Sequence, residues 1–451
     1  MRLSPQRLAP DKFPPSSGLT SLDNDRGRDP PVDVPVAGRC GRKDKALRLP
    51  ALLTSTLTAA VLIALTHAPA SAQLTKEAQA LRSFAEELDD AAKAPDFVGL
   101  AVAVVKKGEV ELMRTYGVRE AGGNQKVTPD TVFRLASLSK GFASTLAVLE
   151  QSEGKLNLQT PVVSLVPEFK LKRPGDAGRV TFEDVLSHRT GLPPYAYDNL
   201  LEAGAAPKQI LSQYGSVKQT CSPGDCFTYQ NVAFNMIAAQ IENATGKTFA
   251  AELRDRIFAP LGMKTASATQ YELSASGNWA RPHRRVGDGW MSVPVTDYYY
   301  KVPAAGGVNA SIADLSKWLI AQMGHRTDVL PKAVLDETHR KRISTPPETS
   351  RQRSLKTPVT ETSYGLGWRS YTYAGQQLLT HSGSVEGYIA QIAWLPAQDA
   401  GIVILSNTRG SRAAKILPAW LDYQLGLEKT DWFRLSEITQ AANTPVIASG
   451  D

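Results

Sequence analysis

Strand-forming sequence in this chain is split between its two ends. Gly99–Val105 and Glu109–Tyr116 flank Lys106-Lys107-Gly108, and Tyr388–Leu395 and Gly401–Leu405 flank Pro396-Ala397-Gln398-Asp399. Each pair reads as a hairpin. A two-stranded hairpin is marginal alone, and the sequence between the pairs is mostly helical and loop-like. The economical solution is an α+β fold: one antiparallel sheet built from both chain ends, flanked by helices, with an inserted, mostly helical region. Amphipathic runs at Lys76–Lys93 (Ala78, Leu81, Phe84, Ala85 and Leu88 on one face) and at Arg412–Leu425 supply flanking helices. Neither an internal repeat nor an inter-domain linker interrupts residues 73–451, which read as a single domain.

The segment before that domain has a different character. Arg42, Lys43, Lys45 and Arg48 precede an uncharged apolar run from Pro50 to Leu65, and Ala70-Ser71-Ala72 follows. This is the three-part pattern of a secretory signal, with its core and cleavage region at 49–72. The run is short for a membrane span, so cleavage leaves no stable span; an uncleaved leader would instead anchor the chain in the inner membrane. Residues 1–48 contain an aperiodic stretch rich in Pro, Asp, Arg and Ser, expected to be a disordered or wrongly started extension. A periplasmic or secreted protein is expected.

Charge and cysteine content fit that expectation. Of the formal net charge of +7, residues 1–72 contribute four (ten Lys/Arg against six Asp/Glu) and the remainder three (41 against 38). No basic stripe with interleaved aromatics follows, which argues against a nucleic-acid partner. The cluster Arg281, His283, Arg284 and Arg285 is expected to be a solvated loop. Two cysteines remain beyond the leader, Cys221 and Cys226, around the turn-forming Ser222-Pro223-Gly224-Asp225. In an oxidising compartment they are expected to form a disulfide.

Phe133-Arg134-Leu135-Ala136-Ser137-Leu138-Ser139-Lys140 leads into an apolar helix carrying Phe142, Leu146 and Leu149, with Gly154 as its stop. Residues three apart share a helix face, so the Lys140 amine can reach the Ser137 hydroxyl. Serine is a weak nucleophile until a base takes its proton, and lysine can be that base if burial leaves it neutral. Ser152 and Lys155 repeat the spacing, but with Gly154 between them at the helix end. Phe227-Thr228-Tyr229-Gln230-Asn231 places a tyrosine able to relay protons and an amide able to orient the lysine and a substrate. Tyr197-Asp198-Asn199 is a rival triplet, read as surface or cleft lining. Thr380-His381-Ser382-Gly383-Ser384 opens the C-terminal strand pair. Gly383 is expected to admit a substrate backbone, and the Ser384 amide to pair with that of Ser137 as an oxyanion hole.

Taken in order, Ser137-Leu138-Ser139-Lys140, Tyr229-Gln230-Asn231 and His381-Ser382-Gly383 resemble the three motifs of the serine penicillin-recognising enzymes, in the branch of class C β-lactamases, D-alanyl-D-alanine carboxypeptidases and related esterases. Leu186–Leu192, Ala304–Val308 and Tyr364-Gly365-Leu366-Gly367-Trp368 extend the resemblance over roughly residues 95–425. It implies an acyl-enzyme on Ser137, acid–base work shared by Lys140 and Tyr229, and substrate contacts from Asn231, His381, Gly383 and Ser384. The substrate would be a D-amino-acid peptide, an ester or a β-lactam, with neither cofactor nor metal. Arg189-Thr190-Gly191, which imitates a third motif ahead of the tyrosine, is assigned to structure. Lactamases of this branch usually carry lysine at the place of His381, and a largely neutral histidine weakens the case for efficient lactam hydrolysis.

A catalytically silent scaffold or cell-wall interaction protein on the same fold is the rival from another class, and intact Ser137, Lys140 and Tyr229 argue against it. No G-x-S-x-G, H-E-x-x-H or phosphate-binding glycine loop occurs in the chain. The sequence leaves the oligomeric state open.

Overall fold

The computed structural model describes residues 75–352 and 359–436. The leader at 49–72, the extension at 1–48 and the expected start near Gln73 lie outside the described residues. The strands are β1 (Gly99–Lys106), β2 (Glu109–Gly117), β3 (Val132–Arg134), β4 (His283–Val286), β5 (Gly289–Ser292), β6 (Asn309–Ser311), β7 (Ile343–Ser344), β8 (Val359–Tyr364), β9 (Arg369–Tyr373), β10 (Gln376–Val385), β11 (Tyr388–Leu395) and β12 (Ala400–Ser406). Eight form one sheet in the order β2-β1-β12-β11-β10-β9-β8-β7, and every pair is antiparallel.

The two ends of the chain meet at the β1–β12 seam, in register from Leu100 against Ser406 to Lys106 against Ala400. β1 is buried along its whole length because both faces of the sheet are covered. Ala101, Ala103 and Val105 join the core beneath the helical region, while Leu100, Val102 and Val104 join a second core on the opposite face. A strand buried on both faces reads as a continuous apolar run, which made Gly99–Val105 legible.

The second core is closed by the helices Lys76–Ala91 and Ile416–Leu425, through Phe84 and Leu88 from one and Trp420 and Leu421 from the other. Thr75 caps the first of them, its hydroxyl accepting from the Ala78 amide at 3.2 Å. Both helices match expectation to within a few residues. Among the described residues, no helix is long and apolar enough to cross a membrane.

At the centre of the other core runs the helix Ser139–Ser152, buried on every side from Ser139 to Glu150. Phe142 stacks on Trp318 at a ring separation of 4.0 Å. Gly141 and Gly367 let the Trp368 segment lie against this helix: a Cβ at Gly141 would meet the Trp368 ring at 2.6 Å. The sequence did not announce β7, β8 and β9, nor the small ladders β3–β6 and β4–β5. The cluster 281–285 is not simply a solvated loop: residues 283–286 form β4, and His283 is buried, its Nε2 accepting from the Ala121 amide at 3.0 Å.

Candidate active site

Ser137 sits in a tight 3-10 turn, Ala136–Leu138, immediately before the buried helix. Ala136 has φ 48°, a conformation most side chains avoid. The turn is held from both sides. Ser139 Oγ donates to the Ala136 carbonyl at 2.6 Å and accepts from the Val308 amide at 2.9 Å, and the Leu135 amide donates to the Val308 carbonyl.

Lys140 is fully buried, with Nζ 3.3 Å from Ser137 Oγ, 2.7 Å from Asn231 Oδ1 and 2.9 Å from the Ala305 carbonyl oxygen. The Asn231 amide is oriented by its far side: Nδ2 donates to Asp198 Oδ2 at 2.6 Å. A carboxylate oxygen accepts, so the asparagine oxygen must face Lys140. Burial pushes the Lys140 pKa well below the usual lysine range; Asp198 opposes this and Arg369 adds to it. Burial likewise raises the Asp198 carboxyl.

Tyr229 is buried with its ring 4.7 Å from Lys140 Nζ, and burial raises its phenol, against the pull of Arg369 and of a hydrogen bond with Ser137. The loop presenting it is anchored twice. Cys221 and Cys226 are bonded, with Cα atoms 6.2 Å apart. The amides of Thr220, Gly224 and Thr228 donate to the carbonyls of Gly191, Arg189 and His188. His188 then accepts from the Gln230 amide at Nδ1 (3.1 Å) and packs against the Tyr229 ring at 4.3 Å. Its burial holds its pKa well below the ordinary histidine value. The segment 186–191 is therefore the frame on which the Tyr229 loop hangs. Arg189 spends its charge on Glu183 and Asp184, as expected of a structural residue.

Strand β10 completes the site. Only its first half, Gln376–Thr380, pairs with β9, so His381–Val385 presents an edge not paired by β9. Gly383 serves a purpose within the fold itself. A Cβ there would overlap the Leu135 carbonyl oxygen and lie 2.8 Å from the Ser137 amide nitrogen. The missing side chain lets the strand approach the nucleophile turn. Ser382 and Ser384 are exposed, whereas His381 is buried.

Both nitrogens of His381 are engaged. Nδ1 lies 2.9 Å from the Ser382 carbonyl oxygen and Nε2 3.0 Å from the Tyr364 hydroxyl. A carbonyl only accepts, so Nδ1 carries the proton and the Tyr364 hydroxyl donates to Nε2. Burial, Arg369 and Lys140 all press the His381 pKa well below its usual value, so the ring is neutral. The cation beside it is Arg369, the cross-strand partner of Thr380, with its guanidinium carbon 5.5 Å from the Tyr229 ring and an ion pair to Glu348.

The structure thus brings Ser137, Lys140, Tyr229 and Asn231 together, with His381 and Gly383 behind them. It excludes the rival pairs from the centre. Ser152 donates to the Leu149 carbonyl, and Lys155 pairs with Glu150 and Glu153. The triplet at Tyr197 is not mere cleft lining, because Asp198 is the buried partner of Asn231. Asp198, His188, Arg369 and the Ala305 carbonyl carried no site role in the sequence reading. For Asp198, His188 and Ala305 the only signal was membership of quoted segments (the rival triplet at 197–199, and the stretches 186–192 and 304–308); Arg369, one residue past the quoted Tyr364–Trp368, had none.

The Beta-lactamase family matches residues 81–425. Similar proteins include unguisins hydrolase ungD' of Aspergillus campestris, 28% identical over 326 residues, covering 69% of this chain and 58% of the relative. Unguisins hydrolase ungD of Aspergillus violaceofuscus is 27% identical over 387 residues (77% and 66%), and Protein flp of Staphylococcus aureus is 24% identical over 326 (71% and 61%). The chain therefore spans about three-fifths to two-thirds of the length of these relatives. An octameric penicillin-binding protein homologue from Pyrococcus abyssi shares the fold, with a TM-score of 0.65 at 22% identity over 78% of this chain and 77% of that one. With the family match covering most of its length, the chain belongs to the β-lactamase family and has its serine hydrolase fold.

Proposed function

We propose that this chain is an exported serine hydrolase that forms an acyl-enzyme on Ser137 and acts on a small-molecule or peptide substrate: a D-amino-acid peptide, an ester or a β-lactam. The observation that carries the reading is the set of partners around Lys140. Asn231 Oδ1 and the Ala305 carbonyl are both acceptors. A neutral amine has two hydrogens to give them, and its lone pair is left for the Ser137 proton at 3.3 Å.

Ser137 Oγ attacks the substrate carbonyl as its proton passes to Lys140. The developing oxyanion is met by the amides of Ser137 and Ser384. Tyr229, whose ring lies 4.7 Å from Lys140 Nζ, relays a proton to the leaving group as the carbonyl–heteroatom bond breaks. Water then hydrolyses the ester on Ser137 by the reverse proton path. Because His381 is neutral and saturated, a carboxylate on the leaving side would be met by Arg369 together with the exposed Ser382 hydroxyl. This favours a substrate ending in a free carboxylate over a neutral one. That two relatives are named unguisins hydrolases supports hydrolysis as the reaction class. The basic, apolar and small-residue order of 42–72 supports export to the periplasm or beyond.

The test is intact mass after incubation with excess penicillin and, separately, with a small activated ester, using Ser137→Ala as control. A mass increase matching the acyl group and absent in the variant supports the reading. No adduct and no turnover with either reagent would leave a silent scaffold.

A further inference from the structure

Beyond Ser384 the open edge of β10 runs into a turn, Glu386-Gly387, and that turn is one wall of a cavity of about 920 Å³. Its other walls come from β4 and β5 (Arg284, Arg285, Trp290), from residues 293–296, and from the segment after β12 (Arg409–Ser411). The charge inside is unbalanced. Both acidic residues in the lining are already committed. Asp96 pairs with Arg412 at 3.1 Å and with Arg285 at 3.7 Å. The Glu386 carboxylate lies 2.5 Å from the buried Arg134 and accepts from the Thr296 amide. By contrast, the exposed side chains of Arg284 and Arg409 meet no acidic or hydrogen-bonding partner among the described residues. Trp290 supplies an apolar wall, its indole N–H fixed on the Pro95 carbonyl at 2.7 Å. Unpaired arginines and a fixed aromatic wall lining one cavity suit an organic anion, and carboxylate recognition by arginine is geometrically specific.

We infer that this cavity is the acyl-side subsite of the hydrolase and takes an acyl group that itself carries a carboxylate, held by Arg284 and Arg409. The inference rests on the proposed hydrolase reading for its orientation. A chain lying antiparallel on the free edge of β10, with its carboxyl end at Arg369 and its reacting carbonyl at Ser384, runs its acyl portion toward Glu386 and into the cavity. The two ends of one substrate are then read by separate arginines.

The experiment compares two depsipeptides that differ only in their cap, N-succinyl against the uncharged N-succinamoyl. It measures kcat/KM with the full chain and with Arg284→Gln/Arg409→Gln. We expect the succinyl compound to be preferred at least tenfold, through KM, with the preference shrinking as salt rises and collapsing toward one in the double variant. Equilibrium binding of both compounds to Ser137→Ala decides the matter even without turnover: tighter succinyl binding that the two arginine substitutions abolish sustains the inference. Equal binding of the two caps, or a preference that survives the double substitution, overturns it. Failure of Ser137 to acylate while the binding preference persists would overturn the hydrolase reading instead.

Discussion

Replacing Gly383 with alanine asks whether the closeness of β10 to the nucleophile turn matters for turnover. The added methyl would overlap the Leu135 carbonyl oxygen, lie 2.8 Å from the Ser137 amide nitrogen and 3.1 Å from Ala136 Cβ. Each neighbour is backbone or Cβ in a buried turn, so none can swing aside. Relaxed contacts need roughly 3.5 Å, so relieving the overlap with the Leu135 carbonyl requires the strand to withdraw by about 1–1.5 Å or the turn to deform. Either response moves the Ser384 and Ser137 amides apart. An oxyanion donor acts only within a narrow distance range, and losing one costs about 10²–10³ in kcat.

Overpacking alone should cost about 1–3 kcal/mol of stability, so a crowded control is needed. Gly401→Ala supplies a milder one: in β12 a Cβ would meet Trp394 Cβ at 2.9 Å and the Ala393 carbonyl oxygen and Leu319 Cδ1 at 3.0 Å, at a position outside the candidate site. Initial rates on p-nitrophenyl acetate, together with thermal melts followed by circular dichroism, would be measured for both variants. The expected result is a lowered melting temperature in both variants, more so in Gly383→Ala, and a hundredfold-scale loss of kcat in Gly383→Ala alone. A kcat for Gly383→Ala no lower than that of Gly401→Ala would refute the reasoning.

Three further outcomes follow from the same geometry. Lys140→Gln should lower the acylation rate by about 10²–10⁴, and the wild-type rate should rise with pH through the depressed lysine pKa, since only the neutral amine accepts the serine proton. In stability the sign agrees: the unfolded chain binds this proton more tightly, so Lys140 makes folding more favourable as pH climbs from its folded to its unfolded pKa; denaturation of wild type against Lys140→Met across pH would show the opposite slope if the assignment were wrong. Asp198→Asn removes the charge that raises the Lys140 pKa, so the ascending limb of the rate profile should move to lower pH; a shift upward would contradict the assigned coupling. Opening the Cys221–Cys226 bridge, whose partners are 5 residues apart, should cost about 2 kcal/mol by the loop-closure estimate, read as a lower melting temperature with reductant that the Cys221→Ser/Cys226→Ser variant no longer shows.

The parts of the fold that could be read from the sequence are those in which burial is continuous. β1, β11 and β12 carry unbroken or nearly unbroken apolar runs because both faces are covered. β8 and β9 were missed: Val-Thr-Glu-Thr-Ser-Tyr and Arg-Ser-Tyr-Thr-Tyr are polar at many positions, and their place beside β10 is set by partners rather than by their own pattern. At the site, Ser137 and Lys140 were legible because they stand three positions apart at the entry to one helix, a local relation. Asp198 was not, because its meaning comes from Asn231, 33 residues away. The same holds for His283, whose burial is made by Ala121 and Asn407. Gly383 was recognised as a place of close approach, and one backbone that approaches it is the chain's own nucleophile turn.

The β1–β12 seam also governs how this chain can acquire its fold. Gly99 and Ser406, joined across it, stand 307 residues apart in sequence, so the sheet cannot close locally. Until Ala400–Ser406 has been made and has docked, β1 and β11 each expose an unpaired edge of apolar residues. Non-local pairing of this kind slows folding, and open edges of that composition template association with other chains. A nascent chain shorter than about 400 residues should therefore be the aggregation-prone species, and it is the last strand that joins the β1–β2 hairpin to the strands β7–β11 in one sheet.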